Sequence, residues 1–491
     1  MILRDLLSSL HLYELTRGNP DIEIAGIETD SRKIKPGYLF VALKGFTVDG
    51  HQYISKALDN GACAVLVESE DTLSETCIRV PDTKKALAIL ADRFYNYPTH
   101  RLKLMGVTGT NGKTTITHIV EKILQDAGSR AGIIGTIQMR FGEEIQEVKN
   151  TTPESLELQR LIAYMADKGA THACIEVSSH ALELGRVWGC NFRTAIFTNL
   201  TQDHLDYHQT MEKYRDAKAL LFSQLGNTYN HKDQKFAILN ADDPASDHFK
   251  RVTSAQVIRY GIHTDADVRA TDISISSLGT SFMLRTYKGD SPVQMKLVGL
   301  FSVYNALAAA AACLAEGIDL CSIISSLESI EGVRGRFERV DVGQDYSVIV
   351  DYAHTPDSLE NVLKTAEEFT IGKLYCIVGC GGNRDKTKRP LMAAIAVEHS
   401  DHAIFTSDNP RFEDPQAILD DMVSGVPNAK DQFTVIPNRR EAIEYAIARA
   451  QKGDCILIAG KGHETYQIVK DQVFTFDDKE VASVAIQNRI K

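Results

Sequence analysis

The run Thr108-Gly-Thr-Asn-Gly-Lys-Thr-Thr115 constrains the fold of this chain more than any other feature. It follows an apolar strand-like segment, Leu102 to Val107. It leads into a helical pattern in which Ile116, Ile119, Val120, Ile123, Leu124 and Ala127 share one face and Gly128 is placed to cap the end. A strand, a glycine turn and a helix N-terminus in that order make an anion cradle of main-chain N–H groups. Gly109, Thr110, Asn111, Gly112 and Thr115 form its wall, Lys113 can reach β- and γ-phosphates, and the Thr114 hydroxyl can bind Mg²⁺. The spacing departs from G-x-x-x-x-G-K-[ST]: Val107 stands five before Gly112, and the nearest glycines are Gly106 and Gly109.

The rest of the chain alternates in the same way. Strands are predicted at Ala131–Ile134, Ala173–Val177 and Ala195–Thr198, then at Ser347–Asp351, Leu374–Val378, Ala403–Thr406 and Cys455–Ala459, with helical patterns between. Strands alternating with helices predict an α/β chain: a central, mostly parallel sheet with helices on both faces, and a C-terminal doubly wound, Rossmann-like unit. Before them, Tyr38–Leu43 and Ala64–Val67 read as short strands and Thr83–Tyr95 as a helix, giving a small mixed α/β unit. The expected domains are 1–98, 99–332 and 333–491. In the last of them, the loops Gly379-Cys-Gly-Gly, Ser407-Asp-Asn-Pro-Arg and Gly460-Lys-Gly-His-Glu all follow strands, where ligands of a doubly wound sheet bind.

Charge excludes one class of partner. With 54 basic and 65 acidic residues, a formal charge of −11, the surface is a poor match for nucleic acid. No apolar run is long enough for a membrane span, and the Met1-Ile-Leu-Arg-Asp-Leu-Leu start lacks the pattern of a signal peptide. The nine cysteines are scattered; Cys376 and Cys380 are four apart with no second pair, so they read as buried thiols in a reducing compartment. A cytoplasmic protein is expected.

Further segments carry chemistry. Ile175-Glu-Val-Ser-Ser-His180 places Glu176 at a strand end opposite the phosphate loop, a natural Mg²⁺ ligand. Thr198-Asn-Leu-Thr-Gln-Asp-His-Leu-Asp-Tyr-His208 groups His204 with Asp203, Asp206 and His208 beyond a strand. Tyr214-Arg-Asp-Ala-Lys-Ala-Leu-Leu-Phe222 reads as a helix, on which Lys218 alone would pass for a solvated lysine. These segments, with the variant phosphate loop, resemble the Mur ligase family and its relative folylpolyglutamate synthetase. The resemblance implies that Lys113, Glu176, His204 and Lys218 are catalytic, that Thr114, Glu176, His204 and Lys218 serve the metal, and that Lys218 is carbamylated (N6-carboxylysine). It further implies an adenine contact for Asn305 in Phe301-Ser-Val-Tyr-Asn, and nucleotide contacts for Arg336 in Gly335-Arg-Phe-Glu338 and for Asp351 and His354 in Asp351-Tyr-Ala-His-Thr-Pro356.

The same resemblance assigns a UDP-sugar peptide to Ser31 in Asp30-Ser-Arg32, the Gly45–His51 segment, Asn150-Thr151-Thr152, Ser178 and Arg186. Some relatives carry Gln two residues before this Arg; Leu184 stands here, so one substrate hydrogen bond is absent or replaced. Ser407-Asp-Asn-Pro-Arg-Phe-Glu413 contains the DNPR signature of family members that add meso-diaminopimelate. That amino acid has a distal carboxylate, and Arg411 offers it a planar two-pronged cation. Asp408, Asn409, Pro410, Gly460 and Glu464 complete the expected amino-acid site, and Arg384 adds a further cation. The implied protein is a monomeric ATP- and Mg²⁺-dependent ligase joining meso-diaminopimelate to UDP-N-acetylmuramoyl-L-alanyl-D-glutamate through an acyl phosphate. Rivals are the lysine-adding sibling, which generally lacks the DNPR arginine, a folylpolyglutamate-type ligase, opposed by the unit ahead of the phosphate loop, and a non-catalytic nucleotide-binding regulator.

Overall fold

The computed structural model describes residues 1–45, 48–69, 74–227, 229–276, 278–429 and 431–490. Phe46 and Thr47, within the expected Gly45–His51 substrate segment, lie outside the described residues. Three sheets organise the chain, each drawn from one of the three sequence blocks. The first has five strands in the order Glu14–Arg17, Cys77–Arg79, Ala62–Val67, Tyr38–Val41 and Gly26–Glu28, covered by the helix Thr83–Phe94. That helix begins where the Asp82 carboxylate accepts the Lys85 N–H, and it buries Leu87 and Leu90 against Leu39, Leu66 and Ile78.

The second sheet has eleven strands and is parallel at its centre. There the strand Lys103–Thr108 lies between His172–Glu176 and Phe192–Phe197. The helices Lys113–Asp126 and Leu300–Ala315 pack on one face with Ile116, Ile119, Ile123, Val303, Leu307 and the alanines of the second helix. Both edges are antiparallel: Val268–Ser276, Gly279–Thr286 and Gly289–Met295 at one, Met139–Phe141 and Glu144–Gln146 at the other. The sequence reading did not include these edges. Along Val268–Ser276 burial alternates as in a strand with one wet face, its phase shifting at an irregularity around Asp272, whose φ is +56°.

The third sheet runs Glu338–Arg339, Ser347–Asp351, Cys455–Ala459, Leu374–Val378, His402–Phe405, Phe433–Val435, all parallel after the first pair. Cys455–Ala459, last in sequence, is inserted between the strands that precede it, so the three loops meet at one edge. Two buried arginines fasten them. Arg389 bonds both Glu413 oxygens at 3.0 Å and the Gly381 carbonyl, while Arg439 pairs with Asp478 at 2.7 Å and donates to the Ala459 carbonyl. A two-stranded ribbon, Tyr466–Val469 with Gln472–Thr475, leans on Arg411, whose N–H donates to the Ile468 carbonyl. Among the described residues no helix is long and apolar enough to cross a membrane.

The amino ends of the central strands are held by one carboxylate. Glu316, just past the helix Leu300–Ala315, accepts from Arg193 Nε at 2.8 Å and Thr194 Oγ1 at 3.1 Å and pairs with Lys103 at 3.1 Å. Its hydrogen-bonded and cationic neighbours outweigh its burial and draw its carboxyl down to about 2 from 4.5. The contribution is therefore fully present above about pH 5 and fades as pH falls toward 2. Glu316→Ala, which strands Arg193, should cost about 2–4 kcal/mol at neutral pH. Thermal melts of both proteins at pH 7 and pH 3.5 check this, and the gap in midpoint should be smaller at the lower pH.

Candidate active site

The phosphate loop turns at two glycines with positive φ, Gly109 at +148° and Gly112 at +86°. Gly112 caps the helix Lys113–Asp126, and a Cβ there would stand 2.5 Å from Asn305 Oδ1. Asn305 is thus buried directly against the loop. The loop is laced to the next strand end: Asn111 N–H donates to Asn199 Oδ1 at 2.9 Å, and Thr198 Oγ1 donates to the Asn111 carbonyl at 2.6 Å. The Thr110 hydroxyl meets Tyr214 Oη at 3.3 Å, and Thr115 stands on the first helical turn.

Two ammonium groups converge on one carbonyl. Lys113 Nζ folds back to Gly109 O at 2.9 Å and Thr110 O at 2.7 Å, and buried Lys218 Nζ reaches the same Gly109 O at 3.0 Å. Lys218 also stands over the Tyr214 ring, 4.2 Å from its centroid. Burial is the first cause pulling both lysines below the usual range, and for Lys218 the neighbouring Lys113 adds to it.

Beside them Thr114 Oγ1 donates to Glu176 Oε2 at 3.0 Å. Thr136 donates to Glu176 twice, N–H to Oε1 at 2.9 Å and Oγ1 to Oε2 at 2.9 Å. Gly135 is required here, because a Cβ would run into the Glu176 carboxylate. His204 has φ +55°, opens the helix Leu205–His208, and pairs with Asp203 at 3.3 Å. Burial draws its imidazole down to about 4. Its ring is 4.9 Å from that of His180 and 6.0 Å from that of Tyr214. Tyr214 thus neighbours both His204 and Lys218.

From the third sheet, Arg336 Nη2 donates to Thr114 Oγ1 at 3.1 Å, its guanidinium 4.6 Å from the Tyr352 ring centroid. Asp357 makes a second crossing, accepting from Asn111 Nδ2 at 2.8 Å and Thr201 Oγ1 at 2.9 Å. Asp351 is buried at the end of the strand Ser347–Asp351. Its two oxygens accept the Phe337 and Ala353 N–H groups at 2.6 and 2.7 Å, clamping the Arg336 turn. His354 Nδ1 meets the Tyr352 carbonyl, and its own carbonyl accepts from Lys388.

The Asn150–Thr152 loop comes to the same strand end. Thr151 Oγ1 meets Thr136 Oγ1 at 3.0 Å, and Thr152 Oγ1 bridges the Glu176 carbonyl and the Ser178 N–H. Arg186 donates to the Thr152 carbonyl at 3.0 Å and pairs with Glu154 at 2.8 Å. Asn150 is exposed. Ser31 opens a short 3-10 helix, Ser31–Lys33, between two strands of the first sheet, and its carbonyl accepts from Asn60.

At the carboxyl edge of the third sheet, Asn409 Nδ2 donates to Glu464 Oε2 at 2.9 Å, and Lys461 Nζ donates to the same oxygen at 2.9 Å. Asp408 is buried beside Gly460, where a Cβ would stand 2.9 Å from Asp408 Oδ2. The Pro410 carbonyl packs on Gly382. Arg411 has φ +52°, a strained setting for a side chain, and Nη1 bonds the Gly382 carbonyl at 2.9 Å. Arg384 is exposed.

Three family models match: Mur ligase family, catalytic domain, over residues 23–95; Mur ligase middle domain over 107–313; and Mur ligase, glutamate ligase domain, over 335–462. A UDP-N-acetylmuramoyl-L-alanyl-D-glutamate--2,6-diaminopimelate ligase of Geobacillus thermodenitrificans is 54% identical over 100% of both chains. A protein of the same name from Bacillus licheniformis is 55% identical over 99% of both. The chain belongs to the Mur ligase family. A solved structure, also named UDP-N-acetylmuramoyl-L-alanyl-D-glutamate--2,6-diaminopimelate ligase, is similar to this Mur ligase with a TM-score of 0.71 and 33% identity over 99% of each chain.

In this Mur ligase the fold gathers Lys113, Thr114, Glu176, Lys218, Asn305 and Arg336 around one loop, with Thr151 and Thr152 beside it. Asn409, Arg411 and Glu464 form a second cluster. Thr136, Tyr352, Asp357 and Lys461 were not singled out from sequence. Lys461, flanked by glycines in Gly460-Lys-Gly-His-Glu, and Tyr352, inside Asp351-Tyr-Ala-His-Thr-Pro356, carried a readable signal. Gly112→Ala would push a methyl onto Asn305 and strain a φ of +86°, so ATP affinity measured by calorimetry should fall by about tenfold or more.

Proposed function

We propose that this Mur ligase joins meso-diaminopimelate to UDP-N-acetylmuramoyl-L-alanyl-D-glutamate with hydrolysis of ATP, in peptidoglycan synthesis. The observation that carries the reading is the Arg336–Thr114 hydrogen bond, 3.1 Å long. It fastens the sheet bearing the amino-acid loops to the loop that cradles phosphate, which a ligase needs and a nucleotide-binding regulator does not. The relatives' names supply the substrates, and the Asp408–Arg411 loop fits the amino acid. Residues 1–98, 99–332 and 333–491 act as the UDP-substrate, ATP and amino-acid domains, and a single monomeric chain supplies every group. Nine cysteines, all free, suit a cytoplasmic enzyme.

In the first step an oxygen of the D-glutamate side chain bonds the γ-phosphorus, the bond to ADP breaks, and an acyl phosphate forms. In the second, an amine of diaminopimelate bonds the acyl carbon and phosphate leaves. Lys113 offsets the repulsion between the two anions in the first step. Burial favours the neutral amine of Lys218, the form that adds carbon dioxide to give a carbamate. Thr114 Oγ1 and Glu176 Oε2, 3.0 Å apart, are hard oxygen donors that fit magnesium; Thr114 and carbamylated Lys218 would serve an ion near the γ-phosphate, and Glu176 with His204 a second. Bound there, magnesium would neutralise charge on the phosphates. Asn305 and His354 flank the nucleotide. Ser31, Asn150, Thr151, Thr152, Ser178 and Arg186 hold the UDP-linked substrate, Arg186 acting alone where Leu184 replaces a polar neighbour. Arg411, with Arg384, Asn409 and Glu464, takes the distal end of diaminopimelate.

Two measurements test this. Phosphate release with ATP, Mg²⁺ and the UDP-dipeptide should require meso-diaminopimelate and not respond to L-lysine. Arg411→Ala should reduce it about 100-fold or more, as loss of a charge-assisted pair implies. Turnover with lysine would transfer the chain to the lysine-adding siblings, and silence with both would favour the regulator. Thr136→Val removes a hydroxyl that orients Glu176, so the Mg²⁺ concentration for half-maximal activity should rise about tenfold. An unchanged Mg²⁺ curve would remove Glu176 from the metal site.

A further inference from the structure

His463 lies in the Gly460–Glu464 loop, between residues of the amino-acid cluster, and no role follows for it from the reaction as described. Its Nδ1 is buried without a hydrogen-bond partner, and so is Nε of Arg336. Both side chains border the Tyr352 ring, His463 with centroids 5.0 Å apart and Arg336 at 4.6 Å. Their loops touch through main chain. Gly335 has φ +68°, and a Cβ there would fall on the His463 nitrogen; a Cβ at Gly462 would stand 2.7 Å from the Gly335 carbonyl. Arg336 in turn reaches Thr114 of the phosphate loop. His463 therefore stands where the amino-acid loop meets the nucleotide arginine.

A buried polar nitrogen without a partner calls for an explanation, and at a reaction site a catalytic contact is one. The surroundings say which kind. Burial first, and then Arg336, Arg334, His118 and Lys461, draw the imidazole down to about 3, so it is neutral and lies in a positive field. Such a field repels an ammonium and attracts a phosphoryl group. A neutral imidazole carrying its hydrogen on Nδ1 is a donor to such an anion.

We propose that His463 is a catalytic residue of the amide-forming step, donating a hydrogen bond from Nδ1 to the phosphoryl group of the acyl phosphate beside Arg336. This rests on the ligase reading above. As the amine nitrogen bonds the acyl carbon, the carbon–oxygen bond to phosphate breaks, phosphate leaves with the electron pair, and the surplus amine proton passes to water. A donor on the departing phosphate stabilises the charge it gains.

Two substitutions in the full chain test it. The amide nitrogen of Asn takes about the place of Nδ1, and that of Gln the place of Nε2. With ATP, Mg²⁺, the UDP-dipeptide and meso-diaminopimelate, His463→Gln should lower kcat about 10–100-fold. The KM values for ATP and diaminopimelate should stay within about threefold, with an unchanged melting temperature. His463→Asn should recover most of the rate. Full activity in both variants, equal loss in both with a lowered melting temperature, or a rise confined to the KM for diaminopimelate would each overturn the assignment. Silence of the wild-type chain would overturn the ligase reading and this inference together, whereas wild-type turnover with unaffected variants overturns this inference alone.

Discussion

Lys113 and Lys218 both give hydrogen bonds to the Gly109 carbonyl, and among the described residues no carboxylate is bonded to either. Burying an ammonium away from water is costly, and burial beside Lys113 accordingly favours the neutral amine at Lys218. The rest of the site can be understood from that imbalance. Gly109 must present its carbonyl through a positive φ, Tyr214 must lend its ring face to Lys218, and anionic ligands must complete the charge. The packed helices beneath, with Ile116, Ile119 and the alanines of Leu300–Ala315 fully buried, hold the loop in place against this electrostatic cost.

The second constraint is the joining of the central and third sheets. It combines polar crossings, Arg336 to Thr114 and Asp357 to Asn111 and Thr201, with an apolar seam in which Val298, Ile275 and Phe301 pack against Phe337 and Leu359. The polar crossings can exchange for water or ligand, whereas the apolar seam holds the two sheets together. The crossings also end on the loop that binds phosphate, so nucleotide binding and the placement of the third sheet are coupled through the same atoms. Asp351 contributes at one remove, clamping the turn that aims Arg336 by accepting two main-chain N–H groups.

Much of the fold was legible in the sequence because parallel strands buried on both faces read as unbroken apolar runs. Ala131–Ile134, Ser347–Asp351, Leu374–Val378 and Cys455–Ala459 appear where those runs fall. The edge strands were not legible. Their half-wet alternation is weak, and pairing such as Val268–Ser276 with Gly279–Thr286 is decided by a neighbour rather than by composition. Within the site, residues inside compact motifs could be named from sequence. Thr136 could not, because its importance comes only from the point where its strand end meets Glu176.

The sequence by itself determined which groups are available: a glycine turn with a lysine and a threonine, a strand-end carboxylate, and an arginine following Asp-Asn-Pro. Local spacing suffices for these, since backbone periodicity and turn chemistry act over a few residues. Tertiary structure alone decided which of them meet. It placed Lys218 on the carbonyl of a loop 109 residues away, set Asp351 to clamping a turn, and left His463 unpaired next to Arg336. The physical reason is that charge, burial and hydrogen-bond partnership depend on neighbours in space, and strands distant in sequence supply those neighbours.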